Sequence, residues 1–231
     1  MSAAAASLLV NNIKLPVSAS FKEAFSVAKK RLTRLGISTR DAELSIFRRS
    51  IDARKKDKIT FVYSVAVKNL PFELSDSLLR ENNLVRMSLD TPRPSIGSEK
   101  SSAPPVVVGT GPAGLFAALM LAEWGYAPTV LERGGNVSER HEAVKRLNKY
   151  HILDPDTNIQ FGAGGAGTFS DGKLVTRIND PMTSYVLDRF VEFGADESIK
   201  YIAKPHVGTD VLSKIVEGML LRIEELGGKI L

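Results

Sequence analysis

The sequence predicts an α/β protein in two parts: a small α+β domain of the ferredoxin-like kind over residues 11–90 and part of a Rossmann-like fold over 105–231, joined by a linker at 91–104. Three observations carry that reading. Amphipathic strand and helix patterns give way, after Met87, to "SLDTPRPSIGSEKSSAPP", whose prolines, serines and glycine break every period. A "VVV" strand then runs through "GTGPAG" into an Ala- and Leu-rich helix, and "APTVLERG" follows as a second strand. Charge divides along the same line. Residues 1–100 carry 18 Lys and Arg against 10 Asp and Glu, whereas residues 101–231 carry 13 against 16.

In the first part, "NIKLPVS" reads as a short strand. Phe21, Phe25, Ala28, Leu32 and Leu35 then recur at helical spacing. Ser20 caps that helix with Glu23 three residues on, and Gly36 closes it. "ELSIFRRSIDAR" and "KITFVYSVAVKNL" alternate as strands around a basic "KKDK" turn, and "DSLLRENNLVRM" reads as a further helix.

In the second part, Val106–Val108 is expected to be a buried strand and the next helix to run from about Gly111 to Gly125. The unit so formed is β-α-β with a right-handed crossover. Gly109, Gly111 and Gly114 make the pattern G-x-G-x-x-G directly after the strand, with Pro112 and Ala113 between the last two. Such spacing has a physical reason. The first glycine permits a tight turn, the second lets backbone approach a diphosphate, and the third lets helix and strand pack closely. A helix N-terminus offers N–H groups and a partial positive charge to phosphate. Glu132, followed by Arg133, ends the next strand where a carboxylate meets ribose hydroxyls; it would repel a 2′-phosphate, so FAD or NAD is expected over NADP.

A second glycine stretch, "NIQFGAGGAGTFSDGK", places Gly162, Gly164, Gly165, Gly167 and Gly172 within eleven positions. Each glycine loses more backbone entropy on folding than another residue would. A close approach to a large ligand explains the run, and an extended FAD needs a second loop beyond its diphosphate. Ser170 and Lys173 are candidate hydrogen-bond donors there, and a cation such as Lys173 favours an anionic reduced flavin.

Composition excludes several chemistries. Among 231 residues there is no cysteine, so disulfides, thiolate metal sites and cysteine nucleophiles are absent. No nucleophile elbow and no metal-ligand cluster appears; Asp154 and Asp156 lack the rest of a calcium loop. The longest apolar run, Leu115–Ala122, stops at Glu123, short of the ~20 residues a bilayer requires. "MSAAAASLLV" lacks the basic start of a secretory signal, leaving a cytoplasmic or plastid location as the expectation. Residues 48–58 hold six cations, but no aromatic residue interleaves with them, so nucleic acid is not the expected partner. His206, with Asp210 four residues on, is a candidate substrate or flavin contact; His141 and His151 read as solvated.

The stretches "VVVGTGPAGLFAALMLAEWGYAPTVLERG", "NIQFGAGGAGTFSDGKLVTRI" and "AKPHVGTD" resemble a family of FAD-dependent dehydrogenases in the glutathione-reductase-like flavoprotein group, with bacterial and plastid members. The resemblance runs from about Ile13, its most specific part being the second glycine motif. It implies an oxidoreductase with FAD as cofactor, NAD(P)H a candidate electron donor, and an undefined small-molecule substrate. It assigns no catalytic residue. Members of that family are longer, and "EELGGKIL" stops where a strand begins, so a chain lacking its C-terminal half is expected. The alternative is a non-catalytic nucleotide-binding or partner-docking module acting through its basic first part.

Overall fold

The computed structural model describes residues 6–70, 75–87, 96–98, 102–170, 172–174, 176, 178, 180 and 182–231. They form a mixed α/β structure of two compact units. Unit 1 comprises Met1–Pro92 with Lys200–Pro205, and unit 2 comprises Arg93–Ile199 with His206–Leu231. The span expected as 105–231 is therefore interrupted at Lys200–Pro205. Most of the expected 91–104 linker lies outside the described residues.

Unit 1 runs β1 (Ala6–Pro16), α1 (Phe21–Arg34), β2 (Glu43–Asp52), β3 (Thr60–Leu70), α2 (Asp76–Glu81) and β4 (Leu84–Arg86). Its sheet has the order β2-β3-β1-β4, with every neighbouring pair antiparallel. Strand β1 begins at Ala6, before the expected start at residue 11, because Leu8 and Val10 already alternate into the core. Between the pairs Val10–Val65 and Ile13–Tyr63, Ser64 of β3 faces two residues of β1, Asn11 and Asn12, with Asn12 at φ +55°. This bulge inserts one extra residue, so Val10 and Ile13, three apart, both point inward.

Helix α1 lays Ala24, Ala28 and Leu32 on the sheet. Its Glu23 carboxylate accepts from the Ser20 N–H at 3.0 Å. Phe21, expected on the buried stripe, is half exposed and instead packs edge-on against Phe25. "DSLLRENNLVRM" is not one helix. It breaks at Asn82–Asn83, where Asn83 takes φ +55°, and Leu84–Arg86 pairs with β1.

The strap Lys200–Pro205 joins unit 1 at the open side of β2. Arg49 donates its N–H to the Tyr201 carbonyl (2.7 Å) and accepts from the Ala203 N–H (3.0 Å), a parallel bridge. The Arg49 guanidinium lies over the rings of Phe61 (4.9 Å) and Tyr201 (5.8 Å).

Unit 2 runs β5 (Val106–Val108), α3 (Pro112–Glu123), β6 (Thr129–Leu131), α4 (Val137–Tyr150), α5 (Met182–Glu192), α6 (Thr209–Glu225) and β7 (Lys229–Ile230). The strands pair in parallel in the order β5-β6-β7. Leu115, Ala118, Leu119 and Ala122 of α3 meet Ile215, Met219 and Ile223 of α6 over one face of this sheet, where Val107 and Val130 point. The other face is bare among the described residues. Val106 is 60 % and Val108 81 % exposed, so of the strand expected to be buried only Val107 is even partly so. A parallel sheet ordinarily carries helices on both faces.

Among the described residues, no helix is long and apolar enough to cross a membrane.

Candidate functional site

The glycine pattern at 109–114 falls on the turn from β5 into α3, and each glycine meets a different environment. Gly109 takes φ +86°, which only glycine adopts without strain. Gly111 is the N-cap of α3 at an ordinary φ of −62°, with open space where a side chain would stand. Gly114 has none: a Cβ there would lie 2.0 Å from the Gly109 carbonyl oxygen. Pro112 takes the first helical position, where its missing N–H costs nothing, and Ala113 follows in the first turn. No acidic side chain occupies that turn, so the positive end of α3 carries no counter-charge from its own first turn.

The second glycine stretch comes back to the first. Gly164 donates its N–H to the Thr110 carbonyl at 3.0 Å. A Cβ on Gly165 would meet Pro112 Cδ at 3.0 Å and Gly111 Cα at 3.1 Å. Gly134 and Gly135, just after β6, join them. A Cβ on Gly134 would sit 2.6 Å from the Gly162 backbone, and the Gly135 carbonyl accepts from the Ala163 N–H at 3.2 Å. Three glycine-bearing turns thus touch backbone to backbone. The Gly134–Gly135 pair went unread in the sequence, although a double glycine immediately after a strand was the signal.

Glu132 ties these turns together. One carboxylate oxygen accepts from the Thr110 N–H (2.7 Å) and hydroxyl (2.5 Å), the other from the Gly134 N–H (2.9 Å). Burial pushes its pKa up, but hydrogen bonds from Thr110, Gly134 and the Gly162 backbone outweigh this and hold it below the ordinary glutamate value. Its acceptors are engaged by protein donors, so a ribose hydroxyl has to share or displace one of them. A lowered folded-state pKa contributes stability that is full above the unfolded value and is lost as pH falls through the folded one. Acid titration of unit 2 is therefore expected to show a loss of stability below the ordinary glutamate range, about pH 4.3. Glu132→Gln should lack that component of the loss, as tryptophan fluorescence during urea unfolding at several pH values would read.

Arg140 is the residue the sequence hid. It is 1 % exposed, on the inner face of α4 with Val137 and Val144. Its guanidinium donates to the carbonyls of Asn158 (2.9 Å), Ala163 (2.7 Å) and Ile159 (2.6 Å) and to the Thr168 hydroxyl (2.8 Å). The Phe169 ring lies 4.8 Å away. Burial lowers its pKa while the Glu132 charge raises it, and an arginine stays protonated under either influence. Every strong bond to the second glycine loop from this side chain reaches main-chain oxygen or Thr168, so the loop is held whatever its outward-facing residues are.

The remaining expected residues lie further along. Arg133 stacks on Phe161 at 3.9 Å and pairs with Asp156 at 3.4 Å. Gly167 lies in a 3-10 turn, Ala166–Phe169, with open space at its Cβ position. Ser170, expected to donate to a ligand, gives its hydroxyl proton to the Gly167 carbonyl (2.8 Å) and accepts from the Gly172 N–H (3.2 Å). Lys173 forms an antiparallel bridge with His206, and Gly172 packs so tightly on Gly208 that a Cβ would sit 2.6 Å from the Gly208 nitrogen. His141, expected to be solvated, is exposed yet contacts Phe169 (5.1 Å between rings) and lies 3.2 Å from the Ser213 hydroxyl. His151 is the left-handed C-cap of α4.

Comparison with known proteins gives two likenesses. A domain of unknown function (DUF8436) matches residues 8–68, within unit 1. An uncharacterized protein of Clostridium beijerinckii is 42% identical over 224 residues, 96% of this chain and 41% of its own length. The chain thus spans about two-fifths of the length of that curated relative. Its aligned part takes in both units.

Proposed function

We propose that unit 2 seats the diphosphate of a dinucleotide at the start of α3, and that the chain is the nucleotide-binding part of an FAD-dependent oxidoreductase. The observation that carries this reading is the division of labour among Gly109, Gly111 and Gly114. One makes a left-handed turn, one faces open space at an uncapped helix end, and one closes helix onto strand. A turn that served packing alone would not need Gly111, where the backbone is ordinary and the space is empty. A diphosphate brought against the backbone there does need it.

Support for FAD over NAD is the approach of Gly164 and Gly165 to Thr110–Pro112. That contact sets a second backbone loop beside the first, as a cofactor extending past its diphosphate requires. Bound flavin supplies the redox chemistry. The chain's own groups supply position: main-chain N–H groups of α3 toward phosphate, Glu132 toward ribose, and Arg140 fixing the second loop.

Gly111→Val separates binding from folding. Valine adopts φ −62° readily and meets nothing within 4 Å, so stability should change by about 0.5 kcal/mol or less. FAD affinity should fall at least a hundredfold. Titration with FAD, followed by flavin fluorescence, is the measurement. A variant that retains wild-type affinity would sink the diphosphate assignment, and tight NAD binding without FAD binding would replace the cofactor.

A further inference from the structure

The feature that the proposed cofactor site leaves unexplained is a cavity of about 770 Å³ in unit 1. It lies at one end of the antiparallel sheet, where Thr60 of β3 pairs with Pro16 of β1 and Asp52 of β2. Lys14, Arg54, Lys55 and Lys58 line it, with Leu15, Pro16, Thr60 and one acidic residue, Asp52. We propose that this cavity is a binding site for a small phosphorylated ligand bearing two or more phosphoryl charges, separate from the dinucleotide site.

Charge and arrangement point the same way. Four cations converge on one concavity, and a cleft lined by one sign of charge focuses its field on a counter-ion. Asp52 organises two of them. It accepts from Lys14 Nζ at 3.3 Å and takes Arg54 in a fork, Nε at 2.8 Å and the terminal nitrogen at 2.7 Å. The bonds from Arg54 and then Lys14 hold the Asp52 carboxyl well below the usual carboxylate range, so this clamp persists at physiological pH. Lys55 and Lys58 form no ion pair among the described residues, and with Asp52 counted the cavity keeps a surplus of three positive charges. Asp57, beside Lys58 in the chain, is not among the lining residues.

Ligand class follows from size and lining. The volume falls in the ordinary range for small-molecule sites, ~300–1,000 Å³. Lysine ammonium groups, with the Arg54 terminal nitrogen that Asp52 does not engage, match phosphoryl oxygens. No aromatic side chain lines the cavity, so it offers no stacking platform of the kind that holds single-stranded nucleic acid.

The test titrates the full chain with inorganic diphosphate, read by amide chemical shifts. Changes are expected at residues 14–16 and 52–60, and they should weaken steeply with added salt. The double variant Lys55→Ala/Lys58→Ala should bind at least tenfold more weakly with an unchanged unfolding midpoint. Lys22→Ala/Lys29→Ala on α1 should bind as wild type. Gly111→Val distinguishes this site from the proposed dinucleotide site, since it should leave these shifts intact. The proposal fails if shifts are confined to residues 109–115, or if the double variant binds diphosphate undiminished. Equal binding of citrate would overturn the phosphoryl assignment. Lys55- and Lys58-dependent binding of an RNA or DNA oligonucleotide, with none of diphosphate, would make the face a nucleic-acid surface instead.

Discussion

Gly114→Ala is expected to destabilise unit 2 by about 3 kcal/mol or more, at the upper end of what overpacking costs. The new methyl would stand 2.0 Å from the Gly109 carbonyl oxygen, 3.1 Å from its carbon and 3.4 Å from Val107 Cγ1. The nearest of these are backbone atoms in a turn whose φ of +86° is already special, so neither partner yields cheaply. Relief requires α3 to lift from β5, and α3 carries the core contacts of Leu115, Ala118 and Leu119. The protein's single tryptophan, Trp124, caps the C-terminus of that helix, so its fluorescence reports on unit 2 during urea unfolding. An unfolding midpoint equal to wild type would mean that helix and strand do not approach as described. Set beside Gly111→Val, three residues earlier and expected to be nearly neutral for folding, the pair separates the packing glycine from the one proposed to face diphosphate.

Arg140→Met should cost about 3–5 kcal/mol, the range for removing one partner of a buried charged network. The methionine fills the volume but leaves the carbonyls of Asn158, Ile159 and Ala163 without their donor. The loss is expected to be local first, with faster hydrogen exchange at Ala163 and Gly164 and, at the proposed cofactor site, a weaker hold on FAD. Arg140→Lys should not restore the loop, because one ammonium cannot reach three carbonyls and a hydroxyl that the planar fork spans. Full recovery by lysine would show that charge alone, rather than the fork, holds the second glycine loop.

Those two residues illustrate what was legible. The β-α-β unit and its glycine pattern could be read because strand, turn and helix signals coincide over 106–123, all of it local in sequence. The meeting of the two glycine stretches was inferable only from the oddity of so many glycines. Arg140 was invisible as a type, since Glu139, His141, Glu142, Lys145 and Arg146 surround it with the same polarity. Only its place on the helical stripe with Val137 and Val144 distinguished it. Strand β4 was lost because three residues carry no period, and the first half of β1 because Asn11–Asn12 interrupts the alternation that the bulge restores in space. The exposure of Val106 and Val108 reverses their apolar pattern, which signals burial without saying what supplies it.

The strap at Lys200–Pro205 bears on where the first unit can be cut. A polypeptide that stopped at residue 92 would keep β1 to β4 but strip the backbone partners from Arg49, and it would uncover the open side of β2. Uncovered strand edges invite pairing with other chains, which natural sheets guard against. The matched domain, residues 8–68, is shorter still and omits β4 as well as this guard. The sheet is therefore a discontinuous piece of architecture. Its outer strand is protected by a segment more than a hundred residues away along the chain, and a boundary drawn from contiguous sequence leaves it ragged on both sides.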